Sequence, residues 1–198
     1  MKPPSIIVIG ASEGGLQALG TVLGALPAGF PASVLIVLHM HPNSPMQLAE
    51  ILERHGSLPV SYAHSAASIS LGHVYLAPPD HHLTIDPDGR LHLNKGPKEH
   101  HTRPAADPLF RSAAEAFGEQ VIGIVLTGGD GDGAAGLRAI KAQGGVSIVQ
   151  NPVEAREPSM PIHALQADHP DYCVNLDGIA PLLVQLVAAD PNGARNAP

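Results

Sequence analysis

Ile6-Ile7-Val8-Ile9-Gly10-Ala11-Ser12-Glu13-Gly14-Gly15 is the stretch on which the fold turns. Its first four residues are apolar, all β-branched and without polar alternation. Such a run suits a strand covered on both faces, as in a parallel sheet. Small residues end the strand, and beyond them Leu16, Leu19, Val22, Leu23 and Leu26 recur at helical spacing. A strand, a tight Gly-rich turn and a helix, in that order, begin a βαβ unit.

Working outward, residues 34–38, 121–126 and 146–149 are runs of the same character. Helical stretches follow them. Ser44-Pro45-Met46-Gln47 reads as a capping box with Pro at the first helical position, ahead of Leu48, Ile51 and Leu52. Asp107-Pro108 opens another helix, with Leu109, Phe110, Ala113, Ala114 and Phe117 inward and Gly118 as its stop. Residues 137–142 form a fourth, and Asp177 caps a last helix through Leu182, Leu183 and Leu186. The middle departs from this alternation. Residues 73–77, 81–85 and 91–93, with Pro87-Asp88-Gly89 as a turn, read as antiparallel excursions. The expected architecture is α/β: a doubly wound, mainly parallel sheet with helices on both faces, a Rossmann-like three-layer arrangement with one antiparallel hairpin inserted. No repeat or linker divides the chain, so one domain is expected over residues 1–189 and a flexible tail over 190–198.

Composition narrows the function. A chain of 198 residues, 44% hydrophobic and 15% charged, can bury a sizeable core. The formal charge of −7 argues against a nucleic-acid or membrane-surface binder. One local basic stretch, Lys95, Lys98 and Arg103 with His100 and His101 among them, reads as a solvated loop. Cys173 is the only cysteine, which rules out an intrachain disulfide and points to a reducing compartment. No apolar run approaches the ~20 residues of a membrane span. A cytoplasmic location is therefore the expectation.

In open parallel sheets the functional groups gather at the carboxyl ends of the strands. Three reactive side chains meet that condition. Ser12 stands in Gly10-x-Ser12-x-Gly14 between a strand and a helix, the arrangement of a nucleophile elbow. Its alternative is a phosphate-binding turn, but Gly10-x-x-x-Gly14-Gly15 lacks the G-x-G-x-x-G spacing. His39 follows the second strand, and imidazole can take a serine proton at neutral pH and return it to a leaving group. Asp132, in Gly128-Gly129-Asp130-Gly131-Asp132-Gly133, can fix the imidazole tautomer and stabilise the imidazolium. Read as a Ca²⁺ loop, that segment lacks the later acidic ligand such loops need. The chain order Ser, His, Asp differs from the Ser, Asp, His of α/β-hydrolases, so a different scaffold would reach the same roles. His41 is the weaker base candidate, offset from the strand end. The remaining histidines, including the pairs His81–His82 and His100–His101, read as surface or loop residues rather than metal ligands.

Several ordered motifs together are more specific than any one. The sequence resembles the catalytic domain of the chemotaxis receptor methylesterases (protein-glutamate methylesterases) over nearly its whole length. The resemblance rests on Val8-Ile-Gly-Ala-Ser12-Glu-Gly-Gly15, Val37-Leu-His39-Met40, Val74-Tyr-Leu-Ala-Pro-Pro79 with His81–His82, and Arg103-Pro-Ala-Ala-Asp107-Pro-Leu-Phe110-Arg-Ser-Ala-Ala114. It continues through Leu126-Thr-Gly-Gly-Asp-Gly-Asp132-Gly-Ala134, Gly144-Gly-Val-Ser-Ile-Val-Gln-Asn-Pro152 and Ser159-Met-Pro161.

That resemblance implies hydrolysis of glutamate γ-methyl esters on the cytoplasmic domains of chemoreceptors, with methanol released, and deamidation of receptor glutamines. Ser12 would be the nucleophile, His39 the base and then acid, and Asp132 the orienting acid. No metal or organic cofactor is implied, nor a nucleic-acid partner or direct membrane insertion. Glu13 and Gly129 fall at oxyanion positions, where the family usually has Thr and Met. Ser159-Met160-Pro161 is expected among the loops that bind substrate. Full-length members carry an amino-terminal phosphoacceptor receiver domain, whereas this sequence starts at the first catalytic strand, as an excised domain or a stand-alone form would. Two other readings compete. In one, Glu13 and Asp130 have silenced the site and left a receptor- or signalling-protein-binding module, and Glu13→Thr would then raise turnover. In the other, the first Gly-rich loop binds a nucleotide, which would appear as a thermal shift.

Overall fold

The computed structural model describes residues 5–167 and 169–188. The expected tail over 190–198 lies outside them. Among these residues nine strands and six α-helices occur in the order β1 (Ile6–Ala11), α1 (Gly15–Gly24), β2 (Ser33–Leu38), α2 (Leu48–Glu53), β3 (Val60–Tyr62), β4 (Val74–Leu76), β5 (His82–Ile85), β6 (Leu91–Asn94), α3 (Ala106–Phe117), β7 (Val121–Val125), α4 (Ala134–Ala142), β8 (Val146–Gln150), α5 (Ser159–Ala167), β9 (Tyr172–Val174) and α6 (Leu176–Ala188). Seven strands form one sheet in the order β3-β4-β2-β1-β7-β8-β9, every pairing parallel. Strands β5 and β6 pair antiparallel, as a separate hairpin.

The continuous apolar runs become the central strands because each has two faces to cover. On β1, Ile7 and Ile9 point into a core layer shared with Leu19, Leu23 and Leu183, contributed by α1 and α6. Ile6 and Val8 point into the other layer, with Leu109, Phe110, Leu137 and Ile140 from α3 and α4. The same split divides β2, where Val34 and Ile36 face one way and Leu35 and Val37 the other. A strand buried on both sides needs apolar residues at successive positions.

Several expectations change here. Residues 73–77 are not an antiparallel excursion: β4 lies inside the parallel sheet between β3 and β2. The Ser44 capping box does not form, since the helix starts at Leu48 with Gln47 at its N-cap and no side-chain cap. Asp107 lies inside the first turn of α3 with Ala105 at the cap position, because the Asp107 carboxylate is engaged elsewhere. Asp177 likewise sits within the first turn of α6 rather than before it. The basic stretch is not a free loop. Arg103 donates to Asp80 and to the carbonyls of Lys95 and Gly96, Lys95 Nζ also donates to Asp80, and the two cations hold the Asp80 pKa down at about 2.

The chain returns across β1 to place β7 on the side opposite β2. This reversal opens a crevice at the carboxyl ends of β2, β1 and β7, where doubly wound sheets bind their ligands.

Candidate active site

Ser12, His39 and Asp132 each follow one of those three strands. The β1–β2 register pairs Ala11 with Leu38, so Ser12 and His39 are the next residues on neighbouring parallel strands. The ladder continues into the loops: His39 N–H donates to Ala11 O at 2.9 Å, and Ser12 N–H donates to Thr127 O at 2.9 Å. The elbow needs Gly14 at φ +78°, a left-handed conformation that favours glycine, and a side chain there would meet Arg156 Cβ at 2.9 Å.

The histidine and aspartate are joined directly. His39 Nε2 lies 2.7 Å from Asp132 Oδ2, with the His39 side chain 9% exposed and Asp132 fully buried. A carboxylate can only accept, so Nε2 carries the proton and Nδ1 of the neutral ring keeps its lone pair. Asp132 is held from behind by the amino end of α3. Ala106 N–H donates to Oδ2 and Asp107 N–H to Oδ1, the latter at 2.9 Å. Helix N-termini favour negative charge through these free N–H groups and the helix dipole. Burial pushes the Asp132 pKa up. The hydrogen bond and charge of His39, with the two backbone bonds, outweigh burial and hold it below the ordinary carboxylate value.

Ser12 Oγ makes no hydrogen bond among the described residues, so the serine–histidine contact is not closed. Catalytic hydrogen bonds often tighten only when substrate is in place. The loops nonetheless crowd together. A Cβ on Gly128 would lie 2.8 Å from Ser12 Cβ and 2.0 Å from Met160 Sδ, so this crossing admits only glycine.

Glu13 is exposed, and its backbone N–H, like that of Gly129, donates to no group among the described residues. Two backbone donors therefore remain uncommitted beside the elbow and in the loop after β7. Met160, expected among the substrate-binding residues, lies inside the fold. Its side chain is fully buried beneath Gly128, which it supports from below, while Met160 N–H donates to Gly128 O at 2.8 Å. His41 is exposed, with Nδ1 accepting the Asn43 N–H, away from Asp132. His82 is also not a surface residue: it is 3% exposed and bridges Pro97 O to Ala105 N–H.

Three polar residues around the site were given no role there by the sequence. Thr127 Oγ1 donates to Glu13 O at 2.8 Å and accepts the Glu157 N–H at 2.8 Å, tying the elbow to the segment before α5. Gln150 Oε1 accepts the Thr127 N–H at 2.9 Å. Asp107, 2% exposed, accepts from Gly136 N–H at 2.7 Å and His100 Nε2 at 3.2 Å. Burial and the neighbouring Asp132 charge push the Asp107 pKa up. The available signal was a polar residue flanking an apolar strand at its carboxyl end, as Thr127 and Gln150 do. His100, Asp107 and Asp132 come within 4.8 Å of one another, a spacing that suits a cation. Asp132 accepts from His39 Nε2 and two backbone N–H groups, and Asp107 from Gly136 N–H and His100 Nε2.

A parallel sheet with a strand-end serine and a histidine–carboxylate pair is the frame of a serine hydrolase. The chain belongs to the CheB methylesterase family, whose model matches residues 7–183. A Leptospira interrogans protein (serovar copenhageni) is 38% identical over 180 residues, covering 91% of this chain and 93% of its own length. A Paramagnetospirillum magneticum relative, named protein-glutamate methylesterase/protein-glutamine glutaminase 1, is 39% identical over 191 residues; the chain spans 50% of it. The crystal structure of the Thermotoga maritima CheB methylesterase catalytic domain superposes with a TM-score of 0.88 at 33% identity, over 92% of this chain and 98% of that one.

Proposed function

We propose that this chain is a protein-glutamate methylesterase that hydrolyses γ-methyl esters on the cytoplasmic domains of chemoreceptors, and also deamidates receptor glutamines. The observation that carries the reading is the placement of Ser12 beside His39 by strand register, with His39 bonded to the buried Asp132 at 2.7 Å.

In the acylation step His39 Nδ1 takes the Ser12 hydroxyl proton as Oγ bonds the ester carbonyl carbon. The uncommitted N–H groups of Glu13 and Gly129 are the donors available to the oxyanion. Nδ1 then returns the proton to the departing methoxide, and methanol leaves. Water attacks the acyl-enzyme, gives one proton through His39 to Ser12 Oγ, and frees the glutamate carboxylate. For glutamine the leaving group is ammonia. Asp132 keeps Nε2 protonated throughout, which fixes Nδ1 as the working nitrogen.

Because the side chain of Glu13 is exposed, its carboxylate need not face the oxyanion. No helix of the described residues is long and apolar enough to cross a membrane. The test is methanol release from methylated chemoreceptor membranes by the unaltered protein and by Ser12→Ala. Release that vanishes in the variant supports the assignment, and release that survives it removes Ser12 as nucleophile.

A further inference from the structure

His39 faces a second carboxylate. Asp130 Oδ2 lies 3.5 Å from His39 Nδ1, the ring nitrogen that Asp132 does not bind. The other Asp130 oxygen, Oδ1, accepts the Asp132 N–H at 2.9 Å, so the side chain is anchored with Oδ2 aimed at the ring. Asp130 is 34% exposed and His39 9%. The ionisable groups paired with the ring are Asp130 and Asp132, both from the loop after β7; Asp107 stands behind Asp132 and Glu13 is exposed on the elbow.

Resting on the roles proposed for Ser12 and His39, we infer that Asp130 is a positioning residue that stabilises His39 in its doubly protonated form during ester cleavage. The argument is one of difference between states. While Nδ1 holds a lone pair, the Asp130 carboxylate faces an electron pair and gains nothing. Once the serine proton has moved to Nδ1, the same carboxylate faces a cationic N–H at short range. An interaction stronger after proton transfer than before it lowers the barrier, whereas one equal in both states would not. Asp132 strengthens its own bond at Nε2 as the ring becomes cationic, and Asp130 adds a second stabilisation at the nitrogen that receives the proton. The Nδ1 proton still leaves on methoxide, so no net charge accumulates over a cycle.

Asp130→Asn tests this with little change of shape, because the amide oxygen can keep the Asp132 N–H bond. The first readout is the pH profile of kcat/KM for methanol release. A carboxylate favours the protonated ring, so removing it lets the neutral base persist to lower pH. The acid limb is expected to move to lower pH, as loss of an opposite charge 3.5 Å from the ring requires. A weaker base also transfers the proton less readily, so the plateau is expected to fall roughly three- to tenfold.

The second readout does not need activity: NMR titration of the His39 ring in Ser12→Ala against Ser12→Ala/Asp130→Asn. A downward move of the ring titration in the double variant supports the inference. An acid limb and ring titration that stay put would overturn it and leave Asp130 as a cap on Asp132. Survival of methanol release in Ser12→Ala would instead sink the proposed nucleophile, while the ring titration would still report on the Asp130–His39 pair.

Discussion

The crossing of Gly128 over Met160 and Ser12 makes Gly128→Ala a stringent perturbation. The added methyl would sit 2.0 Å from Met160 Sδ and 2.8 Å from Ser12 Cβ. Ordinary carbon contacts lie near ~3.5–4.0 Å, so relief requires movement of about an ångström on each side. Met160 is fully buried and held through its backbone to Gly128 O, which leaves it little room. Overpacking of this kind costs about 1–3 kcal/mol, and the stability loss should fall toward the upper part of that range. Ser12 must also yield, and an ångström of misplacement at a reacting atom can cost about 10²-fold in rate. Urea denaturation would read the first effect and methanol release the second. Adding Met160→Ala separates them: it removes the sulfur but not the clash with Ser12 Cβ. The double variant should therefore show favourable coupling in stability, of about 0.5–3 kcal/mol, with no recovery of rate. Gly128→Ala with parental stability and rate would refute the account of how the two loops are packed.

Two further predictions concern the buried carboxylates. Asp132→Asn should keep the fold but reduce kcat by about 10³–10⁴-fold, because the amide can present its N–H to Nε2 and place the ring proton on Nδ1; steady-state methanol release measures this. For Asp107 the raised pKa sets the sign, since its contribution to stability is present below the ordinary carboxyl value of ~4 and is lost as pH rises through the higher folded value. Asp107→Asn, which keeps an acceptor for Gly136 N–H, should therefore gain stability over the parent as pH rises toward neutrality. Urea midpoints measured across that range would show it, and a gap that narrows with rising pH would contradict it.

The central strands were legible because being buried on both faces leaves an unmistakable mark: Ile6 to Ile9 has no polar position to confuse. Direction of pairing leaves none. Val74-Tyr75-Leu76 reads the same whether its neighbour runs parallel or antiparallel, and only the sheet order decides. The three-residue strands β3 and β9 escaped notice for want of length. Helix α5 was overlooked because Pro158 and Pro161 suggest a loop, although proline is tolerated in a first helical turn. Local capping logic failed at Asp107 for a different reason. Its carboxylate is taken by the backbone of α4, a partner 29 residues away in sequence. Ser12 and His39 stood out because each closely follows an apolar run, and Asp132 because it stands in the Gly-rich loop after another. Asp130 was visible only as a departure from the family pattern, and its aim at His39 Nδ1 depends on the loop's fold.

All three residues of the candidate triad hang from β2, β1 and β7, which sit in the interior of the seven-stranded sheet. Each of those strands is hydrogen-bonded on both sides, whereas β3 and β9 lie at the margins. Fraying under heat or denaturant begins where amides are least protected, and interior ladders exchange their hydrogens last. The chemistry is thus built into the most persistent part of the molecule. Loss of activity on heating should track collapse of the whole sheet, and a protein with melted margins should still hold its serine beside its histidine.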